Sequence, residues 1–585
     1  MLGFLMSTVE NESGRFTVKR PTVVTSCIKP TRLMHRDDGV LFADFGKAMF
    51  ATVRFSATCD ANSTVAKVEL GEKLSTDDCI DANPPGTVRY RCIEVPLQQG
   101  THRYQVVIPP DERNTNVAGI PMPSDVGEVL PMRYCQIAGG GFTVDDSSLQ
   151  MIAAHVTFDD DAAQFTSSDD TLNAVWDLCK HTIKATTFCG VYVDGDRERI
   201  PYEGDAYINQ LSHYAVDFAN AVQIARYSTE YLMQYPTWFA DWNLHSVFMA
   251  WADYLYTGQQ SSIACFYQDL RAKTLIELAR EDGLICTDKA NRPASLEARL
   301  HLYHERYMEE RGLMDLVDWP PGSFTAGGTG ERDNHEMMPI NTVVNALHYQ
   351  ACKCMARIAA ALGHDGEIIE FDEQAEKVRV AMNEKLFDSS TGLYVDGEGS
   401  THSSLHSNMF PLAFGMVPED RKQTVLQFVE SRGMACSVYG SQYLLEALYD
   451  AGSSEHALKL MTAKDDRSWY HMIEQGSTMT LEAWAHRYKN NLDWNHAWAT
   501  APLNIITRKL MGIQVITPGW QKVRFAPQPA TLAHATLKLP TPHGPIFVSA
   551  QLAADGKHDY QITCPHTISL EMQDSIAEHT QIQYV

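Results

Sequence analysis

In the stretch VDGDRERIPYEGDAYINQ, residues 193–210, five carboxylates (Asp194, Asp196, Glu198, Glu203 and Asp205) and two cations (Arg197 and Arg199) crowd into the first thirteen positions. A solvated helix face can be this charged, but this one runs straight into apolar Tyr207, Ile208, Leu211 and Tyr214. That sequence of types points to carboxylates held at the mouth of a pocket. A second acidic setting is GSTMTLEAWAHRYKNNLDWNHAW, residues 476–498, where Glu482 lies two residues before Trp484 and His496 follows Asn495. A lone Glu482 would be as well explained as a surface or helix-cap carboxylate. Its neighbourhood is rich in aromatics, which tips the balance toward chemistry. Two carboxyls far apart in sequence, one protonated to give its proton to a leaving oxygen and one ionised to activate water or attack, are what cleavage of a glycosidic bond requires. Arg197 and Arg199 favour an ionised Glu198, whereas Asp194, Asp196 and Asp205 favour a protonated one, and the residues alone leave that balance open.

Nine of the ten tryptophans lie between Trp176 and Trp498. Trp238, Trp242, Trp319, Trp484, Trp494 and Trp498 sit beside polar or charged residues, in PTWFADWNLH, LVDWPPG, LEAWAH and LDWNHAW. A single tryptophan is more often core than ligand platform. Six of them with adjacent carboxylates or histidines suit a sugar, which has an apolar face and a rim of hydroxyls. No phosphate loop, dinucleotide fingerprint, nucleophile elbow or zinc-protease motif is present. The aspartates could ligate Ca²⁺ or Mg²⁺, but their spacing is not that of an EF-hand loop, and neither metal nor cofactor is assigned.

Positioning such residues takes more than one core: 585 residues predict two to four domains. Residues 1–16 read as a flexible N-terminus. From 17 to 160 the pattern has period two, with Met49, Ala51, Val53 and Phe55, then Ala66, Val68 and Leu70, then Tyr104, Val106 and Ile108, predicting an antiparallel β-sandwich. It holds no tryptophan and reads as structural rather than sugar-binding. After Phe165 the period becomes helical: Ser168 or Asp169 can cap a helix with Leu172, Val175, Trp176, Cys179 and Ile183 on one face. Short glycine-terminated links such as Thr257-Gly258 and Leu362-Gly363, with no fixed repeat, predict antiparallel helix pairs closed into an (α/α) barrel over 165–511. Strands return over 512–585, with Ala535, Leu537 and Leu539 and then Ile546, Val548 and Ala550 about a Thr541–Gly544 turn, predicting a terminal β-sandwich. The fold class is thus multidomain α+β.

A net charge of −25 with no basic block argues against an extended nucleic-acid footprint. No apolar run reaches the ~18 residues of a membrane span. Thirteen scattered cysteines show no disulfide framework, and MLGFLMSTVENES has neither a charged leader nor a clear cleavage site. A reducing cytoplasm is the expectation, with a periplasmic or secreted location if a signal peptide has been removed.

At DGDRERIPYEGDA, at TMTLEAW with NHAWA, and at LMGIQVITPGWQKVRFAPQP…LPTPHGPIFVS, the chain resembles the bacterial α-L-rhamnosidases of glycoside hydrolase family 78. The likeness covers the helical and C-terminal regions; in the N-terminal region it extends only to a general DFG…LGE character. It implies an (α/α)6 barrel and an exo-acting, inverting hydrolase of terminal α-L-rhamnosides, with Glu198 as general acid and Glu482 as general base. By the same resemblance Asp194, Arg197, Asp205 and His496 bind rhamnose hydroxyls, with Asp318 and Trp319 of VDW walling the pocket. Trp238, Trp242 and Trp484 join them as aromatic contacts. Tyr202 stands where the family motif has tryptophan, and the shortened Asp–Arg spacing leaves Asp194 and Asp196 competing for one role. The implied partner is a rhamnose-bearing oligosaccharide or glycoside, with no nucleic acid or membrane; a homodimer is left open. Alternatives are a barrel enzyme on another deoxy or uronic sugar (hydrolase, phosphorylase or lyase) and a non-catalytic carbohydrate-binding protein. The loop SFTAGGTGERDN, residues 323–334, is equally well read as a bland surface loop or as a leaving-group subsite with contacts from Glu331, Arg332 and Asp333.

Overall fold

The computed structural model describes residues 15–62, 64–302, 312–320 and 330–585. Of residues 1–16, read from the sequence as a flexible N-terminus, residues 1–14 lie outside the described residues. Its last two residues are anchored: Arg15 pairs with Asp269 at 2.7 Å and Phe16 stacks on Tyr227 at 4.9 Å.

The N-terminal region forms an eight-stranded sheet. Its main path runs Val23–Ile28, Phe142–Val156, Leu41–Cys59, Leu130–Ala138, Thr64–Gly71, Tyr90–Leu97, with Arg32–His35 and Gly100–Gln105 also pairing with Leu41–Cys59. All its pairings are antiparallel. The alternation in Leu41–Cys59 anticipates one buried face, yet Phe50 and Thr52 on the other face are 0% and 4% exposed. That face rests on the helical region, where Phe50 stacks on Phe188 with ring centroids 3.7 Å apart. Burying each phenyl ring contributes roughly 1.5–3 kcal/mol, so this contact binds the sheet firmly to the helices.

The helical region begins where Asp169 accepts a hydrogen bond from the Leu172 N–H at 2.9 Å, capping the helix Asp170–Ala185. Six further helices contact one another in a closed sequence: Glu203–Val216, Ala240–Thr257, Thr342–Leu362, Leu405–Ala413, Gly440–Asp450 and Ala501–Ile505, the last returning to the first. Partner helices such as Phe218–Gln234, Asp365–Lys385 and Glu419–Arg432 follow members of this ring in the chain and pack against them. Thr342–Leu362 stops at Gly363, whose φ of 76° favours glycine.

The C-terminal region holds a five-stranded sheet in the order Gln164–Ser167, His534–Leu539, Ile546–Leu552, His558–Cys564, Thr580–Tyr584, beside a three-stranded one. Its first strand, Gln164–Ser167, takes the first residues of the range read as barrel (165–511): the chain pairs there with the C-terminal sheet and then enters the helices at the expected Asp169 cap. The hairpin register, Ala535 opposite Ala550 and Leu537 opposite Val548, puts the expected apolar residues on one face.

Candidate active site

The N-terminal ends of the ring helices converge on one side, and the loops entering them carry the motif residues. Asp205 lies in the first turn of Glu203–Val216, and Asp241 and Trp242 in that of Ala240–Thr257. Helix N-termini present unpaired N–H groups and a partial positive charge, which suits a site built of carboxylates.

The loop before Glu203 is closed on itself: the Asp194 N–H donates to the Ile200 carbonyl and the Ile200 N–H to Asp194 Oδ1, both at 2.9 Å. Arg199 sits at φ 54°, a left-handed conformation that a bulky residue adopts only where its surroundings hold it. They do: Arg199 reaches Glu128 at 2.8 Å, Asp196 at 3.2 Å and the face of Phe188. Gly195 is required because a Cβ there would come within 2.9 Å of Asn495 Oδ1, the atom that accepts from the Asp196 N–H at 2.8 Å. In this way the first motif is laid directly on the second.

Arg197 joins them chemically. Its guanidinium donates to both oxygens of Glu482, at 2.7 and 2.8 Å, and its Nη2 lies 3.2 Å from Glu198 Oε1. Because one nitrogen touches both carboxylates, at 2.8 and 3.2 Å, their nearest oxygens stand within about 6 Å of each other. Glu198 also accepts from the Tyr202 hydroxyl at 2.9 Å, and its side chain remains 35% exposed. Tyr202, in the family's tryptophan position, meets Trp242 edge to face at 5.2 Å.

Glu482 is only 3% exposed. Burial opposes its ionisation, yet Arg197, Lys489 and His496 outweigh burial and hold its carboxyl down to about 2. Asp194 is the reverse: burial, with Glu198 beside it, pushes its carboxyl well above the usual range. Asp205 is pushed up by burial against the pull of His496, whose Nε2 it meets at 2.6 Å. Asp194 Oδ2, Asp205 Oδ2 and His496 Nδ1 are all buried, and none has a hydrogen-bond partner among the described residues. Buried polar atoms without partners are costly, so three in one site mark a place able to receive hydrogen-bonding groups.

Not every expected residue faces that site. Asp196 is enclosed by cations: Arg89 Nε and Arg199 bind its carboxylate and Asn114 donates to its backbone carbonyl at 2.6 Å. Asp194, not Asp196, is thus the aspartate with a free oxygen. Asp318 is fully buried and saturated by His406 at 2.7 Å, the Ser437 N–H at 2.9 Å and the Ser437 hydroxyl. Trp484 is 0% exposed, its indole N–H donated to the Cys436 carbonyl and its ring set edge-on against Trp469, so it is core rather than a sugar contact. Trp238 and Trp319 are half-buried, and Trp242 is 5% exposed between Tyr202, Phe239 and Trp498. In the loop read as a leaving-group subsite, residues 323–329 lie outside the described residues. Glu331 and Asp333 turn inward to Arg467 and Arg432, and Arg332 donates to the Asp318 carbonyl at 2.9 Å. These three contacts tie the chain down instead of reaching outward.

Other residues of the site carried no sequence signal strong enough to single them out. Asp493 holds the Arg197 N–H at 3.1 Å and the Thr87 hydroxyl, and Asn495 bridges Asp196 and Glu72; both lie in LDWNHAW, whose aromatic residues and histidine are its distinctive feature as sequence. Glu72, Thr87, Arg89 and Asn114 come from the N-terminal region, which therefore braces the two motif segments. Tyr439 stacks on Trp498 at 5.9 Å, and the Trp498 indole N–H donates to the Glu482 carbonyl at 3.0 Å. Among the described residues no group of three or more His, Cys, Asp or Glu side chains could hold a metal ion.

Comparison with known proteins agrees with the motifs. Residues 160–510 match the model of the bacterial alpha-L-rhamnosidase 6 hairpin glycosidase domain, and residues 512–573 that of the bacterial alpha-L-rhamnosidase C-terminal domain. An alpha-L-rhamnosidase of Alteromonas sp. (strain LOR) is 23% identical over 288 residues, covering 46% of this chain and 30% of that protein. The crystal structure of the GH78 rhamnosidase of Bacillus sp. GL1 has a TM-score of 0.71 at 18% identity, covering 95% of this chain and 55% of that one. The Streptomyces avermitilis alpha-L-rhamnosidase complexed with L-rhamnose gives 0.71 at 18% identity, over 94% and 50%. This chain thus spans between about a third and a little over half of the length of these relatives. At such identities the structural likeness speaks for the fold alone. The hairpin-domain match covers more than half of the chain, and with the C-terminal match it places this protein in the bacterial α-L-rhamnosidase family, glycoside hydrolase family 78.

Proposed function

We propose that this protein is an exo-acting glycoside hydrolase that releases terminal α-L-rhamnose with inversion, in an (α/α)6 barrel (about 165–511) flanked by β-sandwiches (17–160 and 512–585). The ring of six helices with its trailing partners supports that layout. The observation that carries the reading is the pairing of Glu198 and Glu482 through Arg197, beside three partnerless buried polar atoms. The substrate follows from family membership; the relative from Streptomyces avermitilis was crystallised with L-rhamnose.

In this reading Asp194 Oδ2, Asp205 Oδ2 and His496 Nδ1 take the rhamnose hydroxyls. Glu198, the more exposed carboxyl, reaches the leaving oxygen and gives it a proton, and Glu482, fully ionised, accepts a proton from the attacking water. A carboxylate held at about 2 is a weak base, because Arg197 and Lys489 stabilise its charge. Substrate that draws Arg197 toward its own hydroxyls would loosen that hold and sharpen the base when it is needed. Retaining pairs stand about 5–5.5 Å apart and inverting pairs about 6.5–9.5 Å. The bound of about 6 Å between nearest oxygens falls between them, so product stereochemistry decides. Thirteen unpaired cysteines support a reducing compartment, the cytoplasm.

The two roles are separated by leaving group. Glu198→Gln should lose far more activity on an alkyl α-L-rhamnoside than on a nitrophenyl one, whose leaving group needs little protonation. Glu482→Gln should lose ~10²–10⁴-fold on both. Equal losses in the two variants across leaving groups would remove the acid and base assignments, and release of an unsaturated or phosphorylated sugar would replace hydrolysis itself.

A further inference from the structure

The ring helices have a second meeting place at their C-terminal ends, opposite the active site. A cavity of about 340 Å³ opens there, within the range of about 300–1,000 Å³ common for small-molecule sites. Tyr207, Trp251, Phe414 and Tyr443 give it aromatic walls, and Gln350 and Glu446 also line it. From Trp242 at the active site to Trp251 is nine residues along one helix, or about 13 Å. Between the two lies a closed polar layer: His245 Nε2 meets the Tyr443 hydroxyl at 2.5 Å and the Tyr439 hydroxyl at 3.1 Å. Apart from that shared layer, the cavity is lined by none of the residues assigned to catalysis.

Its charges are already balanced. Arg508 pairs with Glu446, and Lys509 with Asp450 at 2.5 Å. A charged ligand would add an unbalanced charge beside these pairs, whereas a neutral one would not. Hydrogen-bonding groups nevertheless remain unused. Glu446 Oε2, the Trp251 indole N–H, the Tyr207 hydroxyl and the Gln350 amide oxygen have no hydrogen-bond partner among the described residues. Aromatic faces, a mixture of free donors and acceptors, and no net charge are together the complement of a pyranose, with its apolar face and its ring of hydroxyls that both donate and accept.

We propose that this cavity is a second, non-catalytic binding site for a neutral monosaccharide. The inference does not depend on which bond the catalytic site cleaves. The test uses the whole chain labelled with 5-fluorotryptophan, with the Trp251 fluorine resonance assigned through Trp251→Phe. L-Rhamnose and D-glucose are titrated separately. At least one should move the Trp251 resonance saturably, with the same midpoint in Glu482→Gln as in the unaltered protein. Ala413→Phe, which fills the cavity without removing a hydrogen bond, should abolish that shift and leave turnover on a nitrophenyl rhamnoside unchanged. Gln350→Leu, which removes the free amide oxygen and a long N–H contact to the Cys354 sulfur at 4.0 Å, should weaken binding several-fold and serves if the filled variant does not fold. Glucuronate and glucosamine should bind at least tenfold more weakly. The proposal is overturned if neither neutral sugar moves the Trp251 resonance, if the shift persists in Ala413→Phe, or if p-nitrophenol binds there and sugars do not.

Discussion

Replacing Arg197 by Gln should move the acid limb of the pH–rate profile. In the intact protein Arg197 is the chief reason that Glu482, though buried, ionises at about 2 rather than at its ordinary 4.5. Removing the guanidinium leaves burial opposed only by Lys489 and His496, so the carboxyl should rise to 4.5 or beyond. That rise corresponds to something on the order of 3 kcal/mol, at about 1.4 kcal/mol per pH unit. The same interaction contributes to stability with a definite pH dependence. The folded carboxyl lies below its unfolded value, so the contribution is complete above about 4.5 and is lost as the pH falls toward 2. The assay is kcat/KM on a nitrophenyl α-L-rhamnoside in short pH jumps, expressed as the ratio of pH 4 to pH 6.5, which cancels any loss from misplacement. The unaltered protein should keep most of its activity at pH 4 and Arg197→Gln should lose most of its own. If the two acid limbs coincide, Arg197 does not set the ionisation of the base, and the bridged-pair account fails.

Asp194→Asn should keep the hydrogen bond from the Ile200 N–H while changing the free oxygen, raising KM about tenfold with little change in melting temperature. Glu72 is pushed up to about 8, chiefly by burial, so the folded state favours its protonated form and its contribution is lost as the pH rises from about 4.5 through 8. Glu72→Gln should therefore show a smaller fall in melting temperature between pH 5 and pH 8 than the unaltered protein; equal falls would refute the assignment. Arg89→Met should cost about 3 kcal/mol by breaking its buried pair with Asp196, which then keeps only Arg199 as a cationic partner, and should lower kcat more than it raises KM because the Arg197–Glu198 loop loses its brace. Unchanged kcat in a folded Arg89→Met would show that the N-terminal region does not position the site.

The motif carboxylates were readable because they lie in short segments with distinctive neighbours. Their wiring was not. Arg197 sits beside Glu198 in sequence but binds Glu482 285 residues away, and charge counting around Glu198 alone gave it only an electrostatic effect on that acid. Asp194 and Asp196 look alike in DGD; the difference lies in Arg89 and Asn114, on a separate sheet. Trp484 resembled a sugar platform because a glutamate and a histidine flank it, yet neighbours in sequence do not fix which way an indole turns. Period two in Leu41–Cys59 gave the strand correctly and missed Phe50, since a face covered by another domain reads like any apolar position. The ring order of the helices was beyond reach for the same reason: periodicity names the buried stripe of each helix but not its neighbour. The cavity at the far end of that ring is assembled from residues that, singly, read as ordinary core.

The most direct test follows the anomeric proton of the first sugar released from a nitrophenyl α-L-rhamnoside by time-resolved NMR, before mutarotation. Hydrolysis by Glu198 and Glu482 with water attacking from the opposite face gives β-L-rhamnose first. Initial α-L-rhamnose would mean retention and a covalent intermediate, and no rhamnose at all would contradict the proposed activity.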